Sequence, residues 1–196
     1  MGLKRSLRLT NIPANSDFSG GVTGWAGTNS TVSVANNILS ITGTGTNLAV
    51  YGGQIQLAGG ALWANGVGSK FYAVCYGMVT NADAQQLSLK LYPGTGDILE
   101  TAIVATPTIN TVYKLSGIFT QTNQSGAGSI RIKHSYADAA TANTKVMQVQ
   151  KVMLVPIIGL PELALSDANL LTWCDNNIPT WFDGTMNRLG GLGWLR

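Results

Sequence analysis

Residues 30–43 read Ser30-Thr31-Val32-Ser33-Val34-Ala35-Asn36-Asn37-Ile38-Leu39-Ser40-Ile41-Thr42-Gly43. Val32 and Val34 alternate with Thr31, Ser33 and Ala35, a period of two that puts apolar side chains on one face of a strand. Leu39 and Ile41 resume the alternation beyond Asn36-Asn37. Asn tolerates the positive φ of a two-residue hairpin turn, so the stretch is a β-hairpin. The same rhythm recurs along the chain, broken roughly every 8–12 residues by Gly, Asn, Asp or Thr, as in a sandwich of short antiparallel strands. Leu87, Leu89 and Leu91 oppose Gln86, Ser88, Lys90 and Tyr92. Ile130, Ile132 and His134 oppose Ser129, Arg131, Lys133 and Ser135. The fold class is therefore all-β, a two-sheet antiparallel jelly-roll sandwich with a short C-terminal helix and extension.

Two segments depart from simple alternation. Lys70–Thr80 is apolar on both faces: Phe71, Ala73 and Cys75 point one way, Tyr72, Val74, Tyr76 and Met78 the other. Such a strand is central, or else faces a groove, a partner or a ligand. The last long strand, about Lys145 to Val155, is expected to put Met147, Val149, Met153 and Val155 on a single face. After Pro156 the pattern changes. Ser166 is placed to cap a short helix with Asp167 in its first turn, Leu170, Leu171 and Cys174 share a face, and Pro179 closes the segment. The expected organisation is an N-terminal arm over 1–10, the jelly roll over 11–156, and a helix with a Trp- and Gly-rich extension over 157–196.

The chain has 196 residues, 45% of them hydrophobic, enough for a core without disulfide or metal staples. Only 11% are charged, against about 25% in ordinary domains, and 24 are glycine. A surface of Ser, Thr, Asn and Gln suits contact with sugars or neighbouring subunits. The net charge of +3 is too small to point to nucleic acid. No apolar run reaches the roughly 20 residues of a membrane span, and the first residues lack the apolar stretch of a secretory signal. The expectation is a protein made in a cytoplasm and released with its assembly. Cys75 and Cys174 are expected as two buried thiols.

Asn15-Ser16-Asp17-Phe18 followed by Gly24-Trp25 resembles the opening of carbohydrate-binding-module jelly rolls of the xylanase-associated type. Val112–Thr120, Ile130–His134 and Lys145–Leu154 resemble that family's closing strands, so the likeness covers about residues 10–156. Trp173–Thr185, which ends in Trp181-Phe182-Asp183-Gly184-Thr185, resembles a tail that follows such jelly rolls in phage structural proteins. The resemblance implies a non-enzymatic structural protein of a tailed-phage virion, a homo-oligomer among other virion proteins. Its expected role there is a capsid decoration or cement protein. The alternative is a tail or fibre adsorption module that binds host surface carbohydrate. A chain consisting of the module alone has no enzyme to deliver to a substrate, which favours a particle component.

Aromatic rings are sugar platforms. Carbohydrate contacts are accordingly expected from Tyr72, Tyr76, Tyr92 and Trp63, with hydrogen bonds from Gln86 and Lys90. Trp25 is expected to pack at the sandwich edge. Lys4, Arg5, Arg8, Trp181, Phe182 and Trp194 are candidate assembly contacts. No cofactor is expected beyond a structural calcium, for which the resemblance offers Asp17, although a turn-capping role suits that residue better. Nothing points to catalysis. The only histidine, His134, shares a face with Ile130 and Ile132, and the nine carboxylates are dispersed. Gly43-x-Gly45 and Gly94-x-Gly96 are turns, because no helix follows either one.

Overall fold

A computed structural model describes residues 5–56, 66–92, 99–122, 128–179, 181–183 and 185–190. Its elements run β1 (Arg5–Thr10), β2 (Ser30–Ala35), β3 (Ile38–Gly43), β4 (Ala49–Gln56), β5 (Lys70–Val79), β6 (Gln86–Tyr92) and β7 (Leu99–Ala105). Then follow β8 (Tyr113–Thr120), β9 (Ser129–Ser135), α1 (Ala139–Ala142), β10 (Val146–Ile157), α2 (Asp167–Asn177) and β11 (Thr185–Gly190). One sheet has the order β2-β3-β10-β5-β8 and the other β4-β9-β6-β7. All strand pairs are antiparallel. This is the expected jelly-roll sandwich. The β2–β3 hairpin turns at Asn36 (φ 52°) and Asn37 (φ 58°), both in the left-handed region that Asn tolerates.

Apolar side chains from both sheets fill the space between them: Leu39, Ile41, Phe71 and Cys75 on one side, Leu87, Leu89, Ile130 and Ile132 on the other. Trp25 belongs to this core. It is buried, meets Phe18 edge-on at 5.0 Å, and donates its Nε1–H to the carbonyl of Asn15.

A second core lies on the outer face of the five-stranded sheet. Tyr72, Val74, Ile118, Met153 and Val155 are covered there by Leu160, Leu170, Cys174 and Ile178. The double-faced strand β5 is thus explained within the chain, since α2 buries its outer half. The helix is capped by Ser166, which accepts from the Asn169 N–H, as its sequence foretold. It is pinned by Asp175, which accepts from the Tyr72 hydroxyl at 2.8 Å and from Lys114 and Ser116, while Asp167 pairs with Lys70 at 2.7 Å.

The strand β10 corrects one expectation. A β-bulge at Lys151, with φ 50°, interrupts its pairing with β5 between Gln150 and Val152. The extra residue turns the alternation over. Met147 and Val149 therefore enter the sandwich core, while Met153 and Val155 enter the outer one. The expected arm also takes a regular form, because β1 pairs with β11 in a two-stranded ribbon from Arg5↔Gly190 to Thr10↔Thr185.

Candidate binding face

The β6–β9 part of the outer face of the four-stranded sheet is polar because β6 and β9 alternate strictly, and exposed Ile103 of β7 adjoins it opposite Ser88. Their odd-numbered leucines (Leu87, Leu89, Leu91) and even-numbered isoleucines (Ile130, Ile132) go into the core. Antiparallel pairing then sets Ser88 opposite Lys133, Lys90 opposite Arg131 and Tyr92 opposite Ser129. Directly opposed side chains stand about 4.5–5.5 Å apart at Cβ, so they act as one surface. The Lys133 ammonium donates to Gln86 Oε1 at 3.2 Å. The Arg131 guanidinium lies over the Tyr92 ring, 4.4 Å from its centroid, and its Nε–H donates to Ser129 Oγ at 3.1 Å. Ser88, Lys90, Ser129 and Ser135 are buried, although they point away from the core. Gln86, Tyr92, Arg131 and Lys133 are half-buried around them. Around these covered residues, the long side chains of Gln86, Tyr92, Arg131 and Lys133 form the accessible part of a polar surface that donates and accepts hydrogen bonds.

Of the residues expected to contact sugar, the fold brings Gln86, Lys90 and Tyr92 together here. Tyr76 stands on the other sheet, half-buried on its outer face opposite Gln150 and Lys114. Tyr72 has no face open to a ligand. It is wholly buried beneath α2, where desolvation and the Asp175 carboxylate push its hydroxyl far above the usual phenol range. Trp63 lies outside the described residues. Ser129, Arg131 and Lys133 were not singled out from sequence. Their alternation was visible, but not that β9 would be the neighbour of β6.

The assembly candidates divide similarly. Arg8 is exposed, Arg5 lies in β1, and Lys4 and Trp194 lie outside the described residues. Trp181 and Phe182 are engaged inside the chain. They pack on the outer core, Trp181 Nε1 donates to Ser16 Oγ at 3.0 Å, and the Phe182 carbonyl accepts from Asn11 Nδ2 at 3.0 Å.

Asp17 caps its own turn by accepting from the backbone N–H and hydroxyl of Ser19, bonds that hold its carboxyl below the usual range. Among the described residues no three His, Cys, Asp or Glu side chains converge as a metal site. His134 is a core residue, with Nδ1 2.8 Å from the Tyr136 hydroxyl, and burial pushes its pKa down to about 3. Gly45 adopts φ 73° in the turn after β3, while Gly94 and Gly96 lie outside the described residues. No helix among the described residues is long and apolar enough to cross a membrane.

No protein-family model and no curated protein matches the sequence. Solved structures do match in fold. A xylan-binding domain of carbohydrate-binding-module family 22 superposes with a TM-score of 0.52 at 14% identity, covering 76% of this chain and 97% of that domain. An arabinose-bound α-L-arabinofuranosidase gives 0.52 at 13% identity over 75% of this chain. The active domain of bacteriophage CBA120 tailspike protein 4 gives 0.50 at 13% over 76%. The chain spans only 26% and 22% of those two longer proteins. It thus has the jelly-roll fold of carbohydrate-binding modules.

Proposed function

We propose that this protein binds carbohydrate without cleaving it, on the outer face of the β4-β9-β6-β7 sheet. The observation that carries this reading is the polar surface formed by the partly exposed side chains of Gln86, Tyr92, Arg131 and Lys133. A polysaccharide offers dense hydroxyls and no deep shape. A shallow, pre-ordered row of donors and acceptors with a planar group at one end suits it. The similar structures agree in kind, since one of them is a xylan-binding domain.

The setting we propose is a tailed-phage particle, assembled in the host cytoplasm, with this chain as a tail or fibre module in several copies that adsorbs to host surface glycan. The Trp-Phe-Asp-Gly-Thr tail motivates the virion, and one similar structure belongs to a phage tailspike. The outer face of β5 and the Trp181-Phe182 pair, which a capsid cement would bury between subunits, are packed inside the chain around α2. Adsorption is the better supported role.

The test is binding to host cell-wall polysaccharide by affinity electrophoresis. Gln86→Ala and Lys133→Ala should each weaken retention at least tenfold, and Tyr76→Ala, on the other sheet, should not. Equal retention of all three variants would refute the assigned face. Immunogold labelling of virions tests the setting. Gold at the tail supports adsorption, gold over the head restores the cement role, and absence of the chain from particles by mass spectrometry removes the virion altogether.

A further inference from the structure

We propose that the depression where the β5–β6, β7–β8 and β9–α1 segments meet is a second binding site, for a single neutral sugar residue. Its volume of about 670 Å³ falls within the about 300–1,000 Å³ of small-molecule sites. It adjoins the Gln86 end of the polar face, since Gln85 precedes that residue and Thr106 follows its cross-strand partner Ala105. The polar lining comes from Asp83 and Gln85, from Thr106 and Thr108, and from Thr141 of α1. A sugar ring carries hydroxyls at its rim and C–H groups on its faces. The Asp83 carboxylate accepts from hydroxyls, while the Gln85 amide and the threonine hydroxyls both donate and accept. Pro107 and exposed Ile109 give the C–H groups an apolar wall. Asp83 is the one charged residue among those that line the depression, and a ligand carboxylate would meet it as a like charge. Lys145, outside the lining, stands 3.9 Å from the same carboxylate and balances it, so the site calls for a neutral ligand.

The three segments are tied together before any ligand arrives. The Thr106 N–H donates to the Gln85 carbonyl at 2.9 Å, and the Gln85 N–H donates to the Ser135 carbonyl at 2.8 Å. The Thr108 N–H donates to the Tyr113 hydroxyl at 2.9 Å, and the Thr141 N–H to Asp138 Oδ1 at 2.7 Å. These bonds use backbone groups, and the side chains of Gln85, Thr106 and Thr108 belong to exposed residues. Two lining residues hold left-handed backbone, Asp83 at φ 74° and Thr106 at φ 45°. For β-branched Thr106 that conformation is strained. Such strain persists where the surrounding structure imposes it, and it clusters at ligand sites.

The experiment is amide NMR of the full chain titrated with galactose, glucose, xylose, N-acetylglucosamine and galacturonic acid, each up to saturation or its solubility limit. The expected result is that at least one neutral sugar shifts the amides of Asp83, Gln85, Thr106 and Thr108 together and saturably. Asp83→Asn removes the charge and keeps the shape, and Asn tolerates the left-handed backbone at this position. It should weaken that binding about tenfold, as loss of hydrogen bonds to a charged group does. Gln85→Ala should weaken it severalfold, and Gln150→Ala, on the other sheet, should leave it unchanged. Galacturonic acid bound as tightly as the neutral sugars would overturn the neutral assignment. No saturable shift at these residues with any sugar, or binding unaltered in both Asp83→Asn and Gln85→Ala, would overturn the site. Shifts confined to Lys90, Arg131 and Lys133 would also overturn it and would put the sugar on the β6–β9 face instead. Binding by that face is read separately, from polysaccharide retention and its loss in Gln86→Ala, so failure of one site is distinguishable from failure of the other.

Discussion

Asn11 ties together three parts of the chain that are far apart in sequence. Its Oδ1 accepts from the Leu154 N–H at 2.9 Å, and its Nδ2 donates to Ser16 Oγ and to the Phe182 carbonyl at 3.0 Å each. The residue is buried, so truncation leaves those partners without water to replace it. Asn11→Ala should destabilise the fold by about 2–4 kcal/mol in urea denaturation, and a loss below about 1 kcal/mol would show that the junction relaxes freely. His134 makes the opposite demand, since it must stay neutral to remain buried. Its folded pKa, pushed down to about 3, lies below the ordinary 6.5 of the unfolded chain. Between those values the unfolded state binds a proton that the folded state refuses. The stability gained by burying the neutral ring is thus complete above about pH 6.5 and is lost as pH falls toward 3, by up to about 1.4 kcal/mol per unit. His134→Phe should flatten the slope of stability against pH between 6 and 4, and an unchanged slope would assign acid sensitivity to other groups. Neither role was fully legible from sequence. The core placement of His134 followed from its alternation with isoleucines, but nothing local marks Asn11.

Among the elements, β10 shows how one residue can serve two cores. It is paired with β3 and β5 and lies between the sandwich interior and the α2 layer. A regular strand would keep Met147, Val149, Met153 and Val155 on the one face that simple alternation assigns them across an even count. The bulge at Lys151 adds the one residue that divides them. Lys151 occupies left-handed backbone at φ 50°, which a β-branched side chain resists and glycine accepts. Lys151→Val should therefore cost about 1–2 kcal/mol more than Lys151→Gly in equilibrium unfolding. Both variants lose the same contact of the ammonium with the Trp181 ring, 5.7 Å away, so that contact cancels in the comparison. Equal stability of the two would mean that the bulge is not what sorts the faces. The strand itself was legible from its apolar rhythm and the helix from Ser166, Asp167 and the Leu170–Cys174 spacing. A bulge has no such signature, because it arises from strand pairing.

For the whole molecule, the two thiols report on the two cores separately. Cys75 lies in the sandwich interior and Cys174 on α2 in the outer layer, both free and buried. Burial pushes both thiols up, Cys174 to about 12 with help from Asp175, so neither supplies much reactive thiolate near neutrality. Neither should react with a disulfide reagent in the native state. In mild denaturant Cys174 should react first, since a single helical layer opens locally at lower cost than a sandwich core. Simultaneous labelling, tracking global unfolding, would show that the two cores form one cooperative unit. The sequence by itself determined the all-β class, the Asn36-Asn37 hairpin, the capped helix and which side of β6 and β9 is polar. These depend on periodicity, turn chemistry and capping, which act between residues a few positions apart. Only the tertiary structure decided that β9 lies beside β6, that α2 covers Tyr72, and that Tyr76 faces away from Gln86, Lys90 and Tyr92. Strand order and layer packing are chosen by long-range burial, where many segments offer equally apolar faces and no local pattern says which two will meet.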